Sequence, residues 1–201
     1  MKPYITRNEV KESVAFTGYR PQKLPFGNNP NHPDAIKLRA SLKTEYDNFI
    51  QAGFRRFYTG GAIGSDMMAA EVILELKEEY ADRVKIGHFL CLPCLEHDSK
   101  WGWQDKERLE RIAEKSNVIY VNEKPYFNGC MQMRNCYMVD ASLFLLAVYD
   151  GQSGGTRNTV EYAKSKGHKV FVINPRQPAG VELVEPPRNI NFMSEGYDNN
   201  Y

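Results

Sequence analysis

The sequence predicts a three-layer α/β domain: a mostly parallel sheet covered by helices on both faces. Two observations carry this. Strand-like and helix-like segments alternate along the chain, and the strands are continuous apolar runs such as SLFLLAVY (142–149) and KVFVI (169–173). Strands buried on both faces read this way, whereas half-exposed strands alternate apolar with polar residues. A third observation concerns function: two strands end in paired glycines that open into helices, Gly60-Gly61 and Gly154-Gly155.

Taken in order, SVAFT (13–17) is the first strand, stopped by Gly18-Tyr19-Arg20-Pro21. The irregular loop LPFGNNPNHP follows, and its length suggests function. Asp34 is placed to cap the next helix, whose apolar stripe is Leu38, Leu42, Tyr46, Phe49 and Ile50, with Gly53 as its stop. RRFYT (55–59) is the second strand, and the helix after it carries Met67, Met68, Ala70, Val72, Leu74 and Leu76. The third strand is expected over 84–92. A polar loop with Trp101 and Trp103 comes next, then a helix over 106–115 and a fourth strand over 118–121. A short helix over 131–139 and the 142–149 strand lead into a helix over 156–166, closed by Gly167, and the last strand at 169–173. Residues 1–175 form one domain in this reading. Residues 176–201, rich in Pro, Asn and Glu and without a period, read as an extended tail.

Composition bounds the function. The chain has 201 residues, 42% hydrophobic and 25% charged, enough for one well-filled domain. A formal net charge of +1 supplies no global field for DNA, RNA or anionic lipid, so nucleic acid is not the expected partner. No apolar run approaches the roughly 20 residues that cross a bilayer. The opening MKPYITRNEVKES lacks the apolar segment of a secretory signal, which predicts a cytoplasmic chain without membrane contact. The cysteines are Cys91, Cys94, Cys130 and Cys136. Cys91 and Cys94 have the C-x-x-C spacing of zinc and redox sites, but Cys130 and Cys136 are separated by five residues and Cys91 ends an apolar strand. Reduced, buried thiols are the expectation, with no metal and no cofactor. The four histidines form no constellation with a cysteine or serine and receive no role.

The chemistry concentrates at the carboxyl ends of strands, where open parallel sheets bind ligands. Gly154 and Gly155 let the main chain approach a ligand, and Thr156 is placed to cap the following helix. The unpaired amides of a helix's first turn, at the positive end of its dipole, suit phosphate or carboxylate. The corner at Gly60-Gly61 repeats that logic, with Gly64, Ser65 and Asp66 opening the helix. There Ser65 can bond phosphate, and Asp66 can cap the helix or accept a ribose hydroxyl. Gly18, Tyr19 and Arg20 leave the first strand at the same end. Arg20 offers a charged fork for phosphate, and Tyr19 can stack on a base or close the loop. Asp150 can bond ribose hydroxyls or end its strand as a turn residue. The two glycine corners are expected to face one shared pocket.

These motifs resemble a Rossmann-like nucleotide-binding superfamily, SLOG, that joins the DNA-processing protein A family to the Lonely-guy phosphoribohydrolases. Within it the chain is most similar to the YpsA-like family, over roughly residues 14–175. The anchors are FTGYRPQKLPF, YTGGAIGSDMMAAEV, the stretch around Trp101, MQMRNCYMVDAS and LLAVYDGQSGGTRNTVEYA. The resemblance implies one α/β domain, often self-associating as a homo-oligomer such as a dimer, with a nucleotide-type ligand in a glycine-lined cleft. The Lonely-guy pattern runs M-x-x-R-K and then P-G-G-x-G-T-x-x-E. Arg134 and Asn135 fall on its arginine and lysine, Asn158 on its threonine and Glu161 on its catalytic glutamate. Ser153 stands in place of the proline and Arg157 in place of the third glycine. The resemblance thus implies ligand contacts from Arg134, Asn135 and Asn158, with Arg134 and Glu161 as the catalytic pair of an N-glycosidic hydrolase. In such a reaction the arginine holds phosphate while the carboxylate positions or deprotonates water. A nucleotide sensor or regulator is the leading expectation. The phosphoribohydrolase is the first alternative and a single-stranded DNA binder the second.

Overall fold

A computed structural model describes residues 5–185. Its elements are α1 (Arg7–Lys11), β1 (Ser13–Gly18), a 3-10 turn (Pro21–Lys23), α2 (Pro33–Gln51), β2 (Arg56–Thr59), α3 (Ser65–Glu79) and β3 (Gly87–Leu92). They continue with α4 (Trp103–Glu114), β4 (Asn117–Tyr120), α5 (Cys130–Asp140), β5 (Phe144–Val148), α6 (Gly155–Ser165), β6 (Lys169–Ile173) and β7 (Val181–Val184). The strands form one sheet in the order β4-β3-β2-β1-β5-β6-β7, parallel throughout except for β7. The predicted α/β class and mostly parallel sheet are therefore what the chain adopts.

Side chains alternate across the central strands, and each face has its own helices. Val14, Phe16, Phe57, Leu146 and Val148 pack under α2 and α3 with Leu38, Leu42, Tyr46, Phe49 and Ile73. Ala15, Tyr58, Cys91, Leu145 and Ala147 pack on the opposite face with Met138, Val139, Val160 and Ala163 of α5 and α6. Leu90 and Leu92 meet Met67, Ala70, Leu74, Leu109 and Ile112, which seats α4 beside α3. Each large apolar side chain buried this way contributes about 1.5–3 kcal/mol. Between β1 and β5 the strand order reverses: the chain builds outward to β4, then crosses back. That reversal is where open α/β sheets bear their ligand crevice.

Several boundaries differ from the sequence expectations for local reasons. His32, not Asp34, caps α2: its ring nitrogen accepts the Asp34 N–H at 3.2 Å, and Pro33 occupies the first turn. The third strand starts at Gly87 because Val84 is still bonded to Tyr80 at the end of α3. Trp103 opens α4 instead of lying in a loop, and it is 71% exposed. Thr156 does not cap α6; Gly154 does so at φ 136, and Gly155 is the first helical residue. The predicted extended tail is described only in part. Its residues 181–184 pair antiparallel with β6, extending the sheet by one strand, while residues 186–201 lie outside the described residues. Among the described residues no helix is long and apolar enough to cross a membrane.

Candidate functional site

β1 and β5 deliver two loops to the reversal point, and α3, α5 and α6 close around them. The result is a cleft of about 280 Å³ lined by Gly18, Tyr19, Arg20, Asp66, Arg134, Asn135, Gly154, Gly155 and Thr156, nine of the predicted residues. Gln22, Lys23, Ala62 and Met131 also line it, and none of these four was singled out from the sequence.

The glycine corner after β5 is open. Gly154 takes φ 136, which an L side chain rarely adopts, and a Cβ on Gly155 would meet nothing within 4 Å. Among the described residues no acceptor bonds the amides of Gly155, Thr156 or Arg157, the first turn of α6. Thr156 turns its hydroxyl away, donating it to the Gly18 carbonyl at 3.1 Å, which ties α6 to the end of β1. Lys23 reaches over this corner. Its ammonium donates to the Ser153 carbonyl and lies 5.2 Å from the Tyr19 ring centroid. Arg20 is exposed on the rim, its side chain without a hydrogen bond or ion pair among the described residues.

The corner after β2 is filled. A Cβ on Gly60 would stand 1.6 Å from Nη1 of Arg134, and one on Gly61, at φ 64, would stand 2.9 Å from Leu90. The expectation that both corners present bare amides to one pocket is therefore corrected. Arg134 occupies the space at Gly60 and donates to its carbonyl, Gly61 packs against core leucines, and neither glycine lines the cleft. Gly64 and Ser65 serve packing too. A Cβ on Gly64 would press to 2.7 Å from the Tyr19 carbonyl, which accepts both the Ser65 N–H at 3.1 Å and its hydroxyl at 2.8 Å. Ser65 has no proton left for a phosphate.

Asp66 and Arg134 form the floor. Both are buried, 6% and 4% exposed, with Asp66 Oδ2 and Arg134 Nη1 3.9 Å apart. Asp66 Oδ2 also accepts the Ala62 N–H at 3.3 Å. Asp66 Oδ1 and Arg134 Nε have no partner among the described residues. Burial raises the Asp66 carboxyl above its ordinary value, opposed by Arg134, the Ala62 amide and Arg20. Burial also pulls Arg134 below its ordinary value against the attraction of Asp66, and the guanidinium stays charged. Leaving polar atoms buried and unpaired is costly, and such atoms facing a cleft are poised for a ligand.

Other predicted residues are committed to packing contacts or lie outside the cleft. Asn135 lines the cleft but spends its amide on Thr159 Oγ1 at 2.9 Å, joining α5 to α6. Asn158 is exposed on α6. Asp150 accepts from Tyr19 Oη, from Gln152 and from Arg176. Burial raises the Asp150 carboxyl, but those bonds outweigh it and leave a lowered value. Burial and the bond to Asp150 push the Tyr19 hydroxyl up to about 12. Tyr19 thus closes the loop instead of offering its ring to a base. Glu161 is exposed, 3.3 Å from Lys164, and outside the cleft lining, so α5 and α6 do not bring Arg134 and Glu161 together there. A larger hollow of about 480 Å³ lies against Asp150, Val160, Lys164, Val172 and β7. Its Asp150 and Lys164 are already paired, so chemistry favours the smaller cleft.

A mostly parallel sheet with its crevice at the order reversal, closed by a glycine-capped helix, defines a Rossmann-like α/β protein. A sequence model of the YpsA family, described as the YspA SLOG family, matches residues 14–177, and the chain belongs to that family. UPF0398 proteins of Bacillus thuringiensis (strain Al Hakam) and Bacillus cereus (strain AH187) are each 30% identical over 168 residues, covering 80% of this chain and 89% of theirs. Among solved structures, DNA processing protein A from Helicobacter pylori, described by its single-stranded DNA binding mode, superposes with a TM-score of 0.55 at 17% identity. That match covers 83% of this chain and 66% of the Helicobacter chain.

Proposed function

We propose that the cleft binds a phosphorylated ribose compound, a mononucleotide or a molecule derived from NAD or ADP-ribose, and that the protein acts as its sensor or regulator. Phosphate sits on the first-turn amides of α6, flanked by Arg20 and Lys23. The sugar hydroxyls face Asp66 Oδ1 and the Arg134 guanidinium. One observation carries this: the acceptorless amides of Gly155 and Thr156 lie on one cleft lining with Asp66 and Arg134, each of which holds a buried, unpartnered polar atom. A volume near 280 Å³ is at the low end for ligand sites and favours a mononucleotide over a dinucleotide held whole.

The test is a thermal-shift and calorimetry screen of nucleoside mono-, di- and triphosphates, ADP-ribose and NAD, with nucleosides and inorganic phosphate as controls. A true ligand at 100 times its dissociation constant stabilises the fold by about 2.7 kcal/mol. No shift with any phosphorylated riboside overturns the reading. The hydrolase alternative predicts free base released from a mononucleotide. Glu161 weighs against it by lying outside the cleft. Single-stranded DNA binding is the second alternative, favoured by exposed Trp103 and Tyr126 on segments that follow β3 and β4. It predicts base stacking and an affinity that falls steeply with salt.

A further inference from the structure

Cys91 and Cys94 share the C-x-x-C spacing, but in the fold Cys94 takes a different sulfur as its partner. Cys91 packs beneath α5 and α6, and burial pushes its thiol up to about 12. Cys94, past the end of β3, instead meets Cys130, the first residue of α5: their sulfurs are 3.7 Å apart and both residues are buried. We propose that Cys94 and Cys130 are a redox modification site, closed to an intramolecular disulfide by a small peroxide, and that closure weakens ligand binding by displacing Arg134. The binding half of this rests on the proposed function; the disulfide half does not.

The geometry assigns the roles. Cys94 donates its S–H to the Cys130 sulfur, so the Cys130 proton is the one not engaged in the contact and free to be lost. Burial and that bond hold the Cys94 thiol protonated, raised to about 11. Cys130 therefore attacks first, and Cys94 resolves. The Cys130 sulfur gives an electron pair to one peroxide oxygen, the O–O bond breaks, and the first water leaves with the Cys130 proton. The Cys94 sulfur then displaces the sulfenic oxygen as a second water, carrying away its own proton. Two thiols lose two electrons in all, and hydrogen peroxide is reduced to two waters. Both cysteines are buried, and their chain neighbours Leu95, Glu96, Asn128 and Gly129 are exposed.

Arg134 is one helical turn after Cys130, and its Nη1 donates to the carbonyls of Gly60 and Cys91. A disulfide draws the sulfurs to about 2.05 Å. The first turn of α5 and the segment after β3 then move toward each other, which shifts α5, and Arg134 with it, relative to the Gly60 and Cys91 carbonyls that it bonds.

The experiment exposes the full chain to hydrogen peroxide, alkylates the remaining thiols in denaturant, and maps the peptides without reduction. The expected result is one cross-link joining the peptides of Cys94 and Cys130. Cys136→Ser should retain it and Cys94→Ser should lose it. Four alkylatable thiols after treatment, or a cross-link through Cys91 or Cys136, overturns the assignment even if a variant fails to fold, because wild-type protein gives that readout. In the second arm, oxidation should weaken mononucleotide affinity at least fivefold, restored by dithiothreitol. Unchanged affinity with the mapped disulfide in place overturns the coupling to Arg134. Reduced protein that binds no mononucleotide removes the functional reading, and the mapping then decides the disulfide on its own.

Discussion

Gly60-Gly61 and Gly154-Gly155 look alike in sequence, a strand running into two glycines and a helix, yet the fold uses them in opposite ways. The first pair is tight because something fills it: Arg134 lies against Gly60 and three leucines surround the open side of Gly61. The second pair is tight because something must be left open: no side chain covers Gly155, and the amides behind it are unbonded. A glycine that admits a neighbour and a glycine that admits a ligand leave the same letters in a sequence. The difference lies in what the rest of the sheet brings alongside.

The sharpest way to break the contrast is to empty the filled corner. Arg134→Ala strips the buried partner from Asp66 and should cost about 3–5 kcal/mol in urea denaturation. Adding Asp66→Asn should recover part of that loss. An unchanged midpoint in Arg134→Ala would mean that the pair does not hold the corner.

Acid should loosen the same corner next. His88 is fully buried, and its two nitrogens are both committed. Ser116 spends its own proton on the Ile112 carbonyl, so Nδ1 donates to Ser116 Oγ at 2.6 Å and Nε2 accepts from Thr59 Oγ1 at 2.9 Å. Thr59 directly precedes Gly60. Burial, then the nearby Lys77, lowers the His88 value from 6.5 to about 3. The unfolded chain takes up this proton below about pH 6.5 and the folded chain does not. The contribution is therefore complete above that pH and shrinks as pH falls toward 3, by at most about 1.4 kcal/mol per pH unit. Melting curves from pH 7 to 4 should show the loss, with a shallower slope in His88→Gln.

Gly61→Ala is a smaller perturbation. At φ 64, with Leu90, Leu109 and Leu92 around the new methyl, it should destabilise by about 1–3 kcal/mol. The smallest effect on stability belongs to the open corner. Gly155→Ala has free space and no positive φ, so it should be neutral or stabilising by up to about 1 kcal/mol. It should nonetheless weaken binding of a phosphorylated riboside in calorimetry. A Gly155→Ala protein that binds as wild type would place the phosphate elsewhere.

The strands and helices of the core were legible because their apolar runs and periods report burial directly. The open corner was legible for the same reason that it is a corner: φ 136 at Gly154 needs glycine whatever surrounds it. β7 escaped notice because VELV is too short to stand out from a proline-rich segment. The partner of Arg134 was misjudged. The resemblance to the Lonely-guy pattern pairs it with Glu161, but Val160 and Ala163 turn α6 inward and leave Glu161 beside Lys164, while β2 and α3 bring Asp66 from across the sheet. Lys23 was invisible because a short turn after a strand has no period, and its role depends on a loop 130 residues away.

Tyr19 belongs to both corners at once. Its carbonyl receives Ser65 at the head of α3, and its hydroxyl reaches Asp150 on the loop before α6. One residue thus works as a rivet through two plates: neither helix can tilt at its leading end without dragging the other, so whatever seats itself beside the tyrosine is felt on both flanks of the sheet.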